Sequence, residues 1–263
     1  TDDYDGNRVK MEIYENIPSL VMDTLASSDF DFDFTGEIQE NEEYGFSEKY
    51  LFDGKKKGAG FRSHFMVGEN RIYDTFMAGP EAFGERFIFD LGTPKVPAAL
   101  LGYAFLNFKT GYPLIPVDPA PWEEVNRYLG EIWSSFYPSR LPCKAKLYGT
   151  NEDPRTVDLS SCALLWSLDD SPSFTNWANY SWCKDTDYNL SDAKNYRDVT
   201  DEEFESADPI VLRMMCNYTG ETFRYLILVV EDTYNSQRWT GNYEENAKEY
   251  ITFDEIEVLV KAE

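Results

Sequence analysis

Two stretches of the chain place aromatic rings beside amide and hydroxyl groups, at residues 174–182 and 239–243. The face of an aromatic ring packs against the C–H face of a sugar, and neighbouring amides bind the sugar hydroxyl groups. The two stretches therefore predict contacts with carbohydrate. Because tryptophan is usually buried, packing into the core is the alternative for these rings. The candidate ligand contacts are Trp177, Tyr180, Trp182, Trp239, Asn242 and Tyr243.

The residue types and spacings of the chain give little support for catalysis. Because the chain has one histidine, His64, most Ser-His and Cys-His arrangements and every metal site built from several histidines are excluded. The four cysteines form no Cys-x-x-Cys pair, so a zinc site is not expected, whereas disulfides and separate thiols are both open. The 48 acidic residues supply so many carboxylate pairs that they identify no glycoside hydrolase site. We expect a protein that is not an enzyme.

Charge and hydropathy restrict the partners of the chain. Its 263 residues include 24 basic and 48 acidic side chains, for a formal net charge of −24. Nucleic acid and anionic membrane surfaces are poor partners for so acidic a protein, because both attract clustered lysine and arginine. The longest apolar run, residues 225–230, is far shorter than the roughly 20 residues of a membrane-spanning helix. We therefore expect no nucleic acid and no membrane insertion of the folded domain.

The elements that position these residues are mainly strands. Phenylalanine and aspartate alternate over residues 30–34, which predicts a strand that is buried on one face. The same region has the carboxylate spacing of a calcium-binding EF-hand loop over residues 29–40, but Phe34 stands where that loop needs glycine. The strand is therefore the favoured interpretation.

Further strands are predicted along the rest of the chain. Phe87, Phe89 and Leu91 alternate with Arg86, Ile88 and Asp90, residues 143–148 show a similar alternation, and residues 223–230 are apolar on both faces, as in a central strand. Near the C-terminus the apolar residues of the strand pattern fall at odd positions up to residue 253 and at even positions from residue 256. This change at residues 254–255 predicts a kink or bulge. Helical spacing is found over residues 121–136. The prediction is an all-β sandwich with one inserted helix, preceded by an N-terminal extension over residues 1–45 that carries one strand.

The order of five elements resembles that of discoidin domains, which are galactose-binding-like domains related to the C-terminal modules of coagulation factors 5 and 8. The resemblance covers about residues 46–263 and implies a galactose-binding-like jelly-roll β-sandwich whose loops at one end bind glycans or other surface ligands. This chain adds insertions at about residues 108–141 and 169–209. The five elements are Leu51-Phe-Asp-Gly54, Arg86-Phe-Ile-Phe-Asp-Leu-Gly92, Pro142-Cys-Lys-Ala-Lys-Leu-Tyr-Gly-Thr-Asn151, Phe223-Arg-Tyr-Leu-Ile-Leu228 and Ile251-Thr-Phe-Asp-Glu-Ile-Glu-Val258.

The resemblance also implies a structural calcium ion and a further ligand contact. The matching metal residues are Asp53, in the Asp-Gly loop, and Glu255, at the start of the last strand. Lysines occupy positions 55–57, where the family supplies oxygen ligands, so an ammonium group that replaces the cation is the alternative. His64 lies where the first loop of the family passes the binding end, and an ordinary surface histidine is the alternative there.

These observations predict a non-catalytic secreted or cell-surface module that binds glycans. An adhesion or assembly protein that binds another cell-surface protein is the alternative, followed by a glycoside hydrolase. The aspartate-rich start over residues 2–5 resembles the mature ends of lipid-anchored surface proteins of Bacteroidetes-type bacteria. We therefore expect an extracellular or bacterial cell-surface location, with a lipid-anchored precursor.

Overall fold

A computed structural model describes residues 21–63, 72–106, 141–170, 182, 200–233 and 249–262. The helix predicted over residues 121–136 lies outside these ranges. No helix in the described ranges is long and apolar enough to cross a membrane.

The described elements are mostly strands. Their bounds are β1 Met22–Thr24, β2 Asp31–Phe34, β3 Phe76–Ala78, β4 Arg86–Lys95, β5 Pro97–Ala104, β6 Pro142–Thr150, β7 Ala163–Asp169, β8 Ile210–Met215, β9 Phe223–Thr233, β10 Ile251–Phe253 and β11 Glu255–Lys261. The α-helices are α1 Ala59–Phe61 and α2 Asp201–Ser206, and short 3₁₀ helices span Glu48–Phe52 and Leu159–Ser161.

The strands form two main antiparallel sheets and one small one. One sheet has the order β1-β11-β5-β8, the second has the order β2-β4-β9-β6-β7, and β10 pairs with β3. A single large apolar cluster joins side chains of both main sheets, as in a sandwich whose inner faces interdigitate. This arrangement confirms the predicted all-β fold class.

The Phe-Asp alternation forms the predicted strand. Strand β2 pairs with β4, with Phe32 opposite Phe89. The ring of Phe32 lies 5.5 Å from that of Phe89, and the ring of Phe34 lies 4.5 Å from that of Phe87. Phe87 in turn meets Phe253 edge to face at 6.1 Å. Buried rings therefore connect the N-terminal region to the centre of the sandwich.

The extension over residues 1–45 contains two described strands rather than the one predicted. Strand β1 pairs with β11, with Met22 opposite Lys261, whereas β2 joins the other sheet. Residues 21–34 therefore contribute one edge strand to each main sheet. The sequence signal for β1 is weak because its three residues are all exposed.

The central position of β9 is confirmed. It lies between β4 and β6, and its side chains are buried on both faces. On the outer face Ile227 and Val229 pack under Val157. Residues 154–157 are held over the sheet by Arg86, whose guanidinium donates to the carbonyl oxygens of Pro154 and Val157 at 2.7 and 3.0 Å.

The parity switch near the C-terminus is also confirmed. Strand β10 ends at Phe253 and β11 begins at Glu255, and the two strands pair with different partners, β3 and β5. Asp254 stands at the break, and its backbone N–H donates to the carbonyl oxygen of Tyr103 at 2.8 Å.

Candidate functional site

Both sequence insertions and the C-terminal aromatic stretch join the five-stranded sheet at one end. Strand β6 begins at Pro142, which is opposite Thr233 at the end of β9. Strand β7 ends at Asp169, opposite Lys144 near the same start of β6. The strand ends at Pro142, Asp169 and Thr233 lie side by side, and we call this end of the five-stranded sheet the insertion end. Residues 107–140, 171–199 and 234–248 all connect to the sheet here.

In the four-stranded sheet, the end of β5 and the start of β11 also lie at the insertion end. Strand β4 begins at the insertion end, and β5 follows it after a one-residue turn, so β5 runs back and finishes there. Strand β11 runs antiparallel to β5, with Glu255 opposite Tyr103, so β11 starts at this end as well. The start of β11 and the connections of the insertions therefore share one end of the sandwich.

Trp182 was a predicted ligand contact, but its position makes it a structural residue. The side chain is 7% exposed and belongs to the main apolar cluster. Its Nε1–H donates to the carbonyl oxygen of Pro142 at 2.9 Å, which satisfies the polar atom of the buried indole. Trp182 therefore anchors the second insertion to the insertion end and offers no ring face to a ligand.

The other predicted ligand contacts lie outside the described residues. The segment that contains His64 begins at the insertion end, because the ring of Phe61 stacks on that of Phe105, just after β5, at 5.2 Å. The residues outside the described ranges are His64, Trp177, Tyr180, Trp239, Asn242 and Tyr243.

The predicted metal residues, Asp53 and Glu255, come from parts of the chain that meet at this end. Glu255 accepts a hydrogen bond from the Gly54 N–H at 3.0 Å, and its side chain is buried. Burial raises the pKa of Glu255 to about 8, with the charge of Asp53 adding to the effect. The Asp-Gly loop and the start of the last strand are therefore in contact, as the resemblance implies.

A second buried acid lies beside this pair. The Asp254 carboxylate accepts the Gly58 N–H at 2.7 Å and is 4% exposed. Burial, with smaller contributions from Asp53 and Glu255, raises the pKa of Asp254 well above its ordinary value. Both Asp254 and Glu255 therefore hold the backbone of residues 54–58 against the start of β11.

The three lysines of the loop point to different partners. Lys55 Nζ lies 3.5 Å from an Asp53 oxygen, and Lys56 Nζ lies 2.6 Å from Glu257 Oε1. Lys57 Nζ donates to the carbonyl oxygen of Glu205 at 2.8 Å, at the end of α2. The loop is thereby tied both to the last strand and to α2, which lies near the end of the second insertion.

This donor set does not fit a calcium ion. Calcium takes six to eight oxygen ligands, whereas the loop presents backbone N–H groups and ammonium groups to the carboxylates. No cluster of three or more acidic, histidine or cysteine side chains arranged to hold a metal occurs in the described ranges. Lys55 pairs with Asp53, as the lysine alternative expects, whereas Glu255 accepts a backbone N–H, and calcium binding stays a prediction that chelation tests.

Two residues of this cluster were not predicted from the sequence. Asp254 holds Gly58, and Glu257 accepts hydrogen bonds from Lys56 and from the Tyr103 hydroxyl, the latter at 2.5 Å. The parity break at residues 254–255 was the available signal, because a residue at such a break can turn its side chain out of the strand alternation.

The cysteines in the described ranges are free thiols. Cys143 is buried, and Cys162 and Cys216 are partly exposed. Burial raises the pKa of Cys216 to about 12, so this thiol is neutral and unreactive at physiological pH. Nucleophilic chemistry at Cys216 is therefore not expected.

No family model and no curated protein matches the sequence. Among solved structures, a SusE-like protein is similar at 11% identity and a TM-score of 0.47, over 92% of this chain and 68% of that protein. A family 32 carbohydrate-binding module from Clostridium perfringens, in complex with GalNAc-β-1,3-galactose, is similar at 10% identity and a TM-score of 0.41, over 90% and 99%. A fucolectin from striped bass serum is similar at 8% identity and a TM-score of 0.39, over 90% and 47%.

Proposed function

We propose that this chain is a non-catalytic carbohydrate-binding module and that it binds glycans at the insertion end. The observation that carries the proposal is the common attachment of the aromatic stretches. Residues 171–181 leave β7 and residues 234–248 leave β9, and these strands end on opposite sides of the start of β6. The two stretches that carry Trp177, Tyr180 and Trp239 therefore start from the same end of the sheet, the insertion end.

The frame beneath these stretches supports a preformed site. Trp182 is fixed to Pro142, and Lys57 joins the loop over residues 53–58 to the end of α2. Arg62 adds an ion pair with Asp201 at 2.7 Å, at the start of α2. Because the second insertion is tied to the sandwich at Trp182 and at α2, less conformational entropy is lost when a ligand binds there.

In this proposal the two acids with raised pKa values, Asp254 and Glu255, have a structural role. Asp254 and Glu255 are buried under the loop and accept its N–H groups, so they do not face a cleft in which a glycosidic bond would lie. A glycosidase needs two carboxyl groups on either side of the scissile bond. Binding without hydrolysis is therefore the function that this arrangement favours.

The proposal includes the location of the protein. A glycan-binding module acts where glycans are displayed, which favours an extracellular or bacterial cell-surface location. Lipid anchoring of the precursor is part of the same proposal.

The direct test is a glycan array followed by calorimetry. We expect saturable binding of at least one saccharide class, with a dissociation constant in about the micromolar to millimolar range for a single site. Silence across the array together with a stable co-purifying protein would favour the adhesion alternative. Release of reducing sugar that a single Asp or Glu substitution abolishes would establish a hydrolase instead.

A further inference from the structure

An opening lies at the end of the five-stranded sheet opposite the insertion end. It is formed where β6 ends, β7 begins and β9 begins, and its volume is about 710 Å³. Strand β6 spans nine residues, so this opening is about 26 Å from the insertion end. We call it the distal cleft, and its lining residues are Gly149, Thr150, Asn151, Glu152, Ser161, Cys162, Ala163, Gly220, Glu221, Thr222 and Phe223.

The walls of the distal cleft are held by hydrogen bonds between loops that are far apart in sequence. The Asn151 side chain donates to the Thr222 carbonyl oxygen at 3.0 Å and accepts the Arg224 N–H at 2.8 Å. The Asn217 N–H donates to the carbonyl oxygen of Leu165 in β7 at 2.8 Å. Both loops are thus fixed to the sheet, so the cleft is formed before a ligand arrives.

The floor of the distal cleft combines backbone and an aromatic ring. Gly149 lies directly against Phe223, because a Cβ atom on Gly149 would come within 2.7 Å of that ring. A larger residue at position 149 would displace the ring. The sheet therefore brings an apolar surface to the base of an opening whose rim is polar.

The rim of the distal cleft carries carboxylate and hydroxyl groups. No lysine, arginine or histidine is among the residues that line the cleft. Glu152 and Glu221 are exposed, and neither makes an ion pair with a side chain in the described ranges. Carboxylates accept hydrogen bonds from ligand hydroxyl groups and repel ligand anions. The lining therefore suits a neutral polyhydroxylated ligand and disfavours phosphate or carboxylate groups.

An exposed aromatic ring stands beside this rim. Tyr218 is 57% exposed, and its hydroxyl lies 3.9 Å from the place that a Cβ atom of Gly220 would take. Gly220 has a φ of +76°, which lets the loop turn tightly below the ring. A large exposed ring next to a polar cleft supplies the stacking surface that a sugar requires.

We propose that the distal cleft is a second saccharide-binding site, for a short oligosaccharide without acidic groups. The proposal rests on the carbohydrate-binding function proposed above and adds a separate location to it. Tyr218 stacks on the ligand, while Glu152 and Glu221 accept hydrogen bonds from its hydroxyl groups. Two sites on opposite ends would let one module bridge two glycan chains and gain avidity.

Photoaffinity labelling locates the site without a prior structure of the complex. The probes are chitobiose, lactose and mannobiose, each with a diazirine at the reducing end, and labelled peptides are identified by mass spectrometry. We expect labelling within residues 149–163 and 216–224. It should fall about tenfold in Tyr218→Ala and in the double variant Glu152→Ala/Glu221→Ala, as expected for loss of a stacked ring or of directed hydrogen bonds.

The matched control is the double variant Glu42→Ala/Glu43→Ala, which removes two exposed acids from another loop and should leave labelling unchanged. Labelling confined to other peptides, or equal labelling of the cleft variants and the control, overturns the distal site and leaves the carbohydrate function intact. Absence of labelling by all three probes also overturns the distal site. The glycan array then decides separately whether the chain binds carbohydrate at all.

Discussion

Replacing Glu255 by glutamine keeps the shape of a buried side chain and removes its ionisable group. In the folded protein the carboxyl group is buried at the start of β11 and its pKa is about 8, against an ordinary value of 4.5. Between these two values the folded state holds a proton that the unfolded chain has released. Stability therefore falls as the pH rises through this range, and the glutamine variant lacks this contribution.

The size of the effect follows from the pKa difference. Each pH unit within the window changes the contribution of this group to the free energy of unfolding by about 1.4 kcal/mol. From pH 5.5, well above the pI of 4.3, to pH 8.5, wild-type protein should lose about 3 kcal/mol relative to Glu255→Gln. This figure is an upper limit, because the loop over residues 53–58 can open and hydrate the carboxylate. Asp254 contributes with the same sign in both proteins, and because the charge of Glu255 adds to the rise in its pKa, the glutamine variant also reduces this second contribution.

The assay is denaturant unfolding of both proteins at several pH values, with Glu42→Gln as the control for loss of an exposed acid. We expect the unfolding free energies of wild type and Glu255→Gln to diverge as the pH rises, with the variant more stable at pH 8.5. The control should follow wild type throughout. Parallel curves for wild type and Glu255→Gln would refute the burial of an uncompensated acid at this position.

Four further outcomes are expected. Trp182→Phe loses the hydrogen bond to Pro142 and should destabilise the protein by about 1–3 kcal/mol in denaturant unfolding, whereas an unchanged midpoint would contradict the anchoring role. Phe87→Ala removes a fully buried ring and should cost about 3–5 kcal/mol in the same assay, and a loss below about 1 kcal/mol would contradict its central position. The hydrogen bond from Arg224 lowers the pKa of Asp90, so Arg224→Met should destabilise the protein slightly at pH 7 in denaturant unfolding, and the difference should disappear as acid protonates Asp90; a difference that persists in acid would argue against the ion pair. EDTA should leave the melting temperature unchanged because Lys55 pairs with Asp53 and backbone N–H groups bond to Asp254 and Glu255, and a clear decrease that added calcium reverses would establish the predicted calcium site.

Strand positions could be predicted where a periodic pattern coincides with a buried face. The Phe-Asp alternation gave β2, and the continuous apolar run gave β9, because side-chain burial in a sheet follows period two or, in a central strand, both faces. The kink at Asp254 was predicted for the same reason, since a break in the period marks a break in the strand. Strand β1 carries no buried face of its own and so leaves no such pattern.

The fate of individual side chains was harder to predict, because it depends on contacts between distant parts of the chain. The aromatic composition around Trp182 indicated a ligand, but the carbonyl of Pro142, which precedes it by 40 residues, satisfies the indole N–H in the core. The pairing of Gly54 with Glu255 spans 201 residues. Which groups of the loop face the acids, N–H or C=O, is set by backbone torsion angles that residue types alone do not determine.

The distal cleft illustrates the same limit. Asn151, Thr222 and Tyr218 lie in turns that read as ordinary loop sequence, and only the antiparallel pairing of β6 with β9 places the turn after β6 beside the turn before β9. A sequence pattern reports local periodicity, whereas a cleft arises from the register between strands.

Calorimetric titration of the saccharide selected on the array tests the central claim most directly. We compare wild type with Trp177→Ala/Tyr180→Ala, and we use Leu164→Ala, which shortens an exposed side chain on β7, as the control. Carbohydrate binding at the insertion end predicts saturable binding to wild type and to the control, with affinity reduced at least about tenfold in the double variant. Affinity that is equal in all three proteins would contradict a site built from the aromatic stretch at this end.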